Sequence, residues 1–211
     1  MKLLYGTGNS AKLEIMRRTL AGLHVDGREE IEIHGLKDMD KEAPFVPETG
    51  ETVLENARQK AYTYYDYFRV PVFSCDSGLY FEGLPEEAQP GLHVRTVNGK
   101  YLTDDEMLDY YSGLAKTYGN LKARYYNAIC LVLDREHIYE CMDESLVSKT
   151  FLITSVPYSK VIHKGFPIDS LSVDMDSGKY FYEQGEKELD QLAVMEGCRE
   201  FFRKLMSEGK L

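Results

Sequence analysis

Residues 52–75 hold the pattern that most narrows what this chain can become. Thr52-Val53-Leu54-Glu55 matches a capping box, in which a threonine hydroxyl and a glutamate three residues on satisfy each other's free N–H groups at a helix start. Val53, Leu54, Ala57, Ala61, Tyr64, Tyr65 and Phe68 then share one broad helical face. The apolar run Val70-Pro71-Val72-Phe73-Ser74-Cys75 follows at once and reads as a short buried strand. A helix that feeds directly into a buried strand belongs to an α/β architecture.

The flanking sequence repeats that alternation. Lys2–Gly6 reads as a strand, Thr7–Ser10 as a turn, and Leu13, Met16, Arg17 and Leu20 place a helix over Ser10–Leu20. Ile31–Leu36 alternates as a strand does. Lys41–Gly50, with Pro44 and Pro47, is a loop. After Cys75, Asp76-Ser77-Gly78 reads as a turn, Leu79–Phe81 as extended, and Pro85–Gly99 as loop. Thr103–Glu106 is a second capping box, opening a helix to about Ala115. Strands are expected over Arg124–Leu133, Ile138–Cys141 and Ser145–Thr154, then a loop over Gly165–Asp176. An amphipathic helix marked by Leu189, Leu192, Ala193, Phe201, Phe202 and Leu205 closes the chain. The expected fold is α/β with a mixed sheet flanked by helices. No Gly/Ser/Pro-rich linker divides the chain, so residues 1–211 read as one domain.

Charge restricts the partners. The formal net charge is -10, which repels nucleic acid and anionic membranes but leaves room for a local basic pocket that takes a small polyanion. No run approaches the ~18 apolar residues that span a bilayer, and the start at Met1–Leu4 is too short for a secretory leader. Cys75, Cys130, Cys141 and Cys198 show no metal-binding spacing, and reduced thiols in a cytoplasmic protein account for them.

Four segments carry side chains suited to chemistry. In Thr7-Gly8-Asn9-Ser10-Ala11-Lys12, a glycine lets the backbone approach a ligand, a helix start favours an anion, and Lys12 adds a full charge. A plain Asn/Ser cap with a solvent-exposed lysine is the other reading. Glu48, Glu51 and Glu55 precede Asn56 and Lys60, which share a helix face. Magnesium takes one or two such carboxylates with water and phosphate oxygens, whereas an acidic helix start also arises for the dipole alone. Asp76, at the end of a buried strand, is placed to bind metal or to orient or deprotonate a water, unless it merely serves an Asp-Ser-Gly turn. In the late loop, Phe166 suits stacking on a base and Asp169 suits reading a base edge or holding the loop.

Taken in order, these segments resemble the inosine triphosphate pyrophosphatase family. The resemblance rests on Thr7-Gly8-Asn9-Ser10-Ala11-Lys12, on Glu48-Thr49-Gly50-Glu51-Thr52-Val53-Leu54-Glu55-Asn56-Ala57-Arg58-Gln59-Lys60-Ala61, on Asp76-Ser77-Gly78-Leu79, and on Pro90-Gly91 with Arg95. It implies an elongated mixed β-sheet flanked by helices, two lobes around a central cleft, and a homodimer. It implies hydrolysis of non-canonical purine nucleoside triphosphates to monophosphate and pyrophosphate. Magnesium, or manganese in its place, would sit on Glu48 and Asp76. Phosphates would be held by Thr7, Gly8, Asn9, Ser10, Lys12, Lys60 and Ser77, with Asp76 as the proton acceptor and Phe166 and Asp169 near the base.

Two departures stand out. The family's acidic residue before Asp76 is Cys75 here, a poor magnesium ligand. The family's base-reading His-Arg pair is Met195-Glu196, leaving Arg95 and Arg199 as the nearest replacements by sequence. The expectation is therefore a kept phosphate grip with a rebuilt base filter. A catalytically weakened nucleotide-binding module is the alternative.

Overall fold

Strand β1 (Lys2–Tyr5) leads into helix α1 (Ser10–Leu20), then β2 (Glu32–Gly35). Helix α2 (Val53–Phe68) feeds β3 (Val72–Phe81). β1 pairs in parallel with β2 and β3, setting Leu3 opposite Ile33 and Tyr5 opposite Phe73. Each step crosses over through a helix, as parallel strands require. A hairpin of β4 (Thr96–Val97) and β5 (Lys100–Tyr101) precedes helix α3 (Asp104–Tyr118) and the long strand β6 (Leu121–Val132). Then come β7 (Ile138–Cys141), β8 (Phe151–Ile153), β9 (Ser172–Asp174) and the last helix, α4 (Met195–Ser207). The seven-stranded sheet runs β2-β1-β3-β6-β8-β9, with β7 also on β6. β6 is antiparallel to β7 and β8, and β8 to β9, so the sheet is mixed, as expected from the sequence.

This computed structural model describes residues 1–27, 30–159, 165–184 and 194–211. The chain divides into two compact units, one of Met1–Ser77, Asn127–Leu146 and Val194–Leu211, the other of Gly78–Tyr126 and Val147–Ala193. In the first unit, Tyr5 stacks on Phe73 at 4.6 Å between ring centroids, and Phe202 from α4 meets Phe73 edge-on at 5.1 Å. Met16 and Leu20 of α1 and Leu205 and Met206 of α4 complete that core. A fully buried ring such as Phe202 contributes about 1.5–3 kcal/mol by area alone. The second unit has its own core of Leu79, Phe81, Tyr111, Phe151 and Leu171. Among the described residues no helix is long and apolar enough to cross a membrane.

Several local readings change. Asp76-Ser77-Gly78 is not a turn but the middle of the ten-residue strand β3. Pairing to distant strands overrides a turn tripeptide, and Asp76 is tolerated there because a lysine meets it. The Thr52 cap forms, its hydroxyl accepting the Glu55 N–H at 3.1 Å, but the box does not close: the Glu55 carboxylate takes the Glu51 N–H at 2.6 Å. The Thr103–Glu106 box is complete.

Asn98 and Gly99, with φ of 49° and 78°, make the two-residue turn of the β4–β5 hairpin inside the expected loop, a signal the Asn-Gly pair carries openly. Of the strand expected over Ser145–Thr154 only Phe151–Ile153 forms, because the Asp143 carboxylate accepts the Ser145 N–H and hydroxyl and curls that start into a turn. The loop expected over Gly165–Asp176 contains a 3₁₀ turn at Pro167–Leu171 and strand β9. Leu189, Leu192 and Ala193 lie outside the described residues.

Candidate active site

The start of α1 is built by local polar bonds. Asn9, in extended backbone, accepts the Ala11 N–H at 2.9 Å and the Lys12 N–H at 3.3 Å. The Thr7 hydroxyl accepts the Asn9 N–H at 3.2 Å. The Asn9 side-chain oxygen therefore shapes the turn, as the cap reading requires. Open space surrounds Gly8 where a side chain would begin. Ser10 opens the helix. Lys12 is half-buried rather than a solvent-exposed surface lysine, and its ammonium makes no hydrogen bond or ion pair among the described residues. Burial and then the neighbouring Lys60 charge lower its pKa, while Asp76 pulls the other way.

The loop before α2 is pinned onto the helix it precedes. The Gly50 N–H donates to Asn56 Oδ1 at 2.8 Å. The Thr49 N–H donates to Gln59 Oε1, and Gln59 Nε2 donates back to the Thr49 hydroxyl, both at 3.1 Å. A side chain at position 50 would start 2.6 Å from the Glu55 Cβ and 2.8 Å from Asn56 Oδ1, so only glycine fits. These bonds place Glu48. From spacing alone Asn56 is a helix-face neighbour of Lys60, and Gln59 carries no signal. Their positioning role depends on a loop folding back, which spacing along a helix does not reveal.

Lys60 lies at the centre. Its Nζ donates to Glu48 Oε1 at 3.0 Å and to Asp76 Oδ1 at 2.6 Å. The Lys60 and Asp76 side chains are 13% and 10% exposed, and Glu48 is 50% exposed, so the cluster is sealed at the strand and open at the loop. Burial works against the Lys60 charge, but the Asp76 and Glu48 carboxylates outweigh it and hold its pKa above the ordinary value.

Strand alternation sends Cys75 and Asp76 to opposite faces. Cys75 packs against the Tyr5 core, and burial pushes its thiol up to about 11 despite a bond from Tyr5 and the charge of Lys12. It is a neutral core-facing group at neutral pH. Ser77, half-buried, follows on the same face as Cys75.

The start of α4 carries Met195 and Glu196, where the resemblance leads one to expect a His-Arg pair. Met195 packs on the first core, and Glu196 lies 3.6 Å from Arg203 of the same helix. Gly197 remains necessary, since a Cβ there would meet the Ser145 carbonyl oxygen at 2.0 Å. Arg199 donates to the carbonyls of Thr19, Ala21 and Gly22 at the end of α1, so its guanidinium is committed to a helix terminus and not to a base. In the second unit, Arg95 is held by Asp104 at 2.7 Å and the Leu102 carbonyl at 3.2 Å. Phe166 is half-buried beside the 3₁₀ turn, and its carbonyl accepts the Asp169 N–H at 3.3 Å. Burial raises the Asp169 carboxyl to about 7.

Thus Glu48, Lys60 and Asp76 are joined by direct bonds within the first unit, which also holds Thr7–Lys12 and Ser77. Phe166 and Asp169 belong to the second. Two carboxylates converging on one ammonium form a hard-oxygen donor pair that fits magnesium or manganese. Among the described residues no three His, Cys, Asp or Glu side chains gather for a metal, so this pair would need substrate and water oxygens to complete a coordination shell.

A strand-to-helix turn, two lysines and two converging carboxylates on an α/β sheet define a protein equipped to handle phosphate esters. The sequence model of the Ham1 family matches residues 3–148, and the chain belongs to that family. It is 28% identical to the dITP/XTP pyrophosphatase of Exiguobacterium sp. over 212 residues, covering 99% of this chain and 96% of that protein. It is 26% identical to the dITP/XTP pyrophosphatase of Porphyromonas gingivalis over 194 residues, covering 91% and 90%. Among solved structures, a HAM1 protein from Coxiella burnetii aligns over 99% of both chains with a TM-score of 0.74 at 20% identity. The Staphylococcus aureus Ham1 protein aligns over 100% of both with a TM-score of 0.71 at 16% identity. These structures share the mixed α/β fold.

Proposed function

We propose that this chain hydrolyses non-canonical purine nucleoside triphosphates to nucleoside monophosphate and pyrophosphate. The observation that carries the reading is Lys60 bonded to both Glu48 and the buried Asp76, with the half-buried Lys12, whose pKa is lowered first by burial and then by the Lys60 charge, in the same unit. The family and the named activity of its relatives point the same way.

In this reading Lys12, Lys60 and the Thr7–Ser10 turn grip the β- and γ-phosphates. Ser77 adds a hydroxyl to that grip. A magnesium or manganese ion on Glu48 and Asp76 supplies positive charge against the phosphate oxygens when bound. Asp76 orients a water toward the α-phosphorus and takes its proton on a carboxylate oxygen. The water oxygen bonds to the α-phosphorus, the bond to the bridging oxygen breaks, and pyrophosphate leaves. Such chemistry needs positioning and charge neutralisation more than a covalent intermediate. The reading includes the homodimeric assembly that the family resemblance implies and the cytoplasmic location that unpaired cysteines suggest.

The test is pyrophosphate release from inosine, deoxyinosine and xanthosine triphosphates with magnesium, manganese or chelator. Release that needs the metal supports the reading. Binding without release makes this a nucleotide-binding module, and full release in excess chelator removes the metal from it.

A further inference from the structure

We infer that Lys60 is an exchangeable internal cation: it holds the Glu48–Asp76 pair until triphosphate draws its ammonium onto phosphate, so divalent metal and triphosphate bind together rather than independently. This rests on the pyrophosphatase reading above.

The geometry is specific. One ammonium satisfies both carboxylates, at 3.0 and 2.6 Å, and the Lys60 stem is nearly buried, so the ion pair is held in place. Asp76 is 7% exposed and cannot be left charged and unpartnered without a large desolvation cost. A divalent ion arriving alone must therefore displace Lys60 from its two partners, leaving a half-buried ammonium beside Lys12 with no anion to meet. A triphosphate arriving alone finds Lys60 already committed.

When both arrive, each resolves the other's difficulty. The ion takes over the carboxylates, and Lys60 pivots on its four-carbon stem to the phosphates alongside Lys12. The Lys60 charge is conserved and only its partner changes. Linkage makes the effect mutual: whatever factor triphosphate adds to metal affinity, metal adds to triphosphate affinity.

The test is Mn2+ binding to the full chain followed by electron paramagnetic resonance, with and without a triphosphate whose α,β-bridge is a methylene. Wild type is expected to bind Mn2+ weakly alone and about 5–150-fold more tightly with the analogue, the usual range of such coupling. Lys60→Met, which keeps the stem and removes the charge, is expected to bind Mn2+ alone at least tenfold more tightly than wild type and to lose most of the coupling. Mn2+ should raise the melting temperature of Lys60→Met more than that of wild type. Lys60→Arg, which keeps the charge, should stay near wild type.

If Lys60→Met does not fold, Lys60→Gln serves, since its amide bonds the carboxylates without neutralising them. Equal or weaker Mn2+ affinity in the uncharged variant, with wild type still releasing pyrophosphate, overturns the exchange and leaves the function intact. A wild type that takes up no Mn2+ even with the analogue and releases no pyrophosphate overturns both.

Discussion

The starts of α1 and α4, both in the first unit, make an instructive pair. At α1, Thr7, Asn9 and the backbone form a bonded turn, and a half-buried lysine rises from the first helical turn. At α4, Val194 has a left-handed backbone with no side-chain cap, Met195 joins the core, and Glu196 pairs with Arg203 of its own helix. The first arrangement presents a half-buried ammonium without an ion pair, suited to an anion. The second offers packing and a surface ion pair. Phosphates are alike in every nucleotide, so one grip serves all of them, whereas a base filter is a separate set of donors that a family member can lose while keeping the grip.

The largest expected effect tests the phosphate side. Asp76→Asn should lower turnover by about 10²–10⁴, the span for removing a positioned acid or base, while circular dichroism shows the fold intact. Wild-type pyrophosphate release from that variant would end the assignment of Asp76. The base side is next. With Arg199 committed to the end of α1 and Arg95 to Asp104, the ratio of kcat/KM for inosine over adenosine triphosphate should stay within about 10–200-fold, short of the 10⁴–10⁵ that a hydrogen-bonding filter achieves. A ratio in the thousands would reveal donors supplied from elsewhere and erase the contrast between the two helix starts.

Lys12→Ala should weaken binding of the methylene analogue by about 1.5–3 kcal/mol, as for other charge-assisted bonds. Calorimetric affinity equal to wild type would return Lys12 to a packing role.

Asp169, in the second unit, adds a test through pH. Its carboxyl, raised to about 7 by burial, keeps its proton in the folded chain at pH values where the unfolded chain has lost it. The folded state then binds more protons, so this group's contribution to stability falls as pH rises from about 4 to 7 and is flat above. Asp169→Asn, which mimics the protonated form, should match wild type near pH 4 and become the more stable of the two by pH 8 in urea denaturation. An unchanging difference across that range would show that Asp169 does not titrate there. The smallest effect is Glu196→Ala. Its ion pair with Arg203 is exposed, and its loss should shift stability by less than about 0.5 kcal/mol and leave kcat unchanged. A fall in kcat would give α4 a part in the chemistry.

What the residues determine by themselves is what lies within one turn or one strand of them. The α1 helix runs Ser10–Leu20 as read, because a cap at Asn9 and apolar spacing act over three or four residues. Ile138–Cys141 is a strand as read, and the Thr103 box closes as read, for the same reason. The motif resemblance also marked Glu48, Lys60 and Asp76 as members of one site before any contact between them was visible.

What only the tertiary structure decided is where distant segments meet. Asp76-Ser77-Gly78 has turn composition, yet it stays extended because β3 lies in the sheet between β1 and β6, both distant in sequence. Gln59 carries no local signal of its role, which appears only when the Thr49 loop folds back onto it. Lys60 reads as a helix-face lysine, and only its meeting with Asp76 of β3 and Glu48 of the loop turns it into the cation shared by two carboxylates. Such partners are chosen by sheet pairing and burial, which depend on the whole chain, whereas caps and periodicity depend on the nearest few residues.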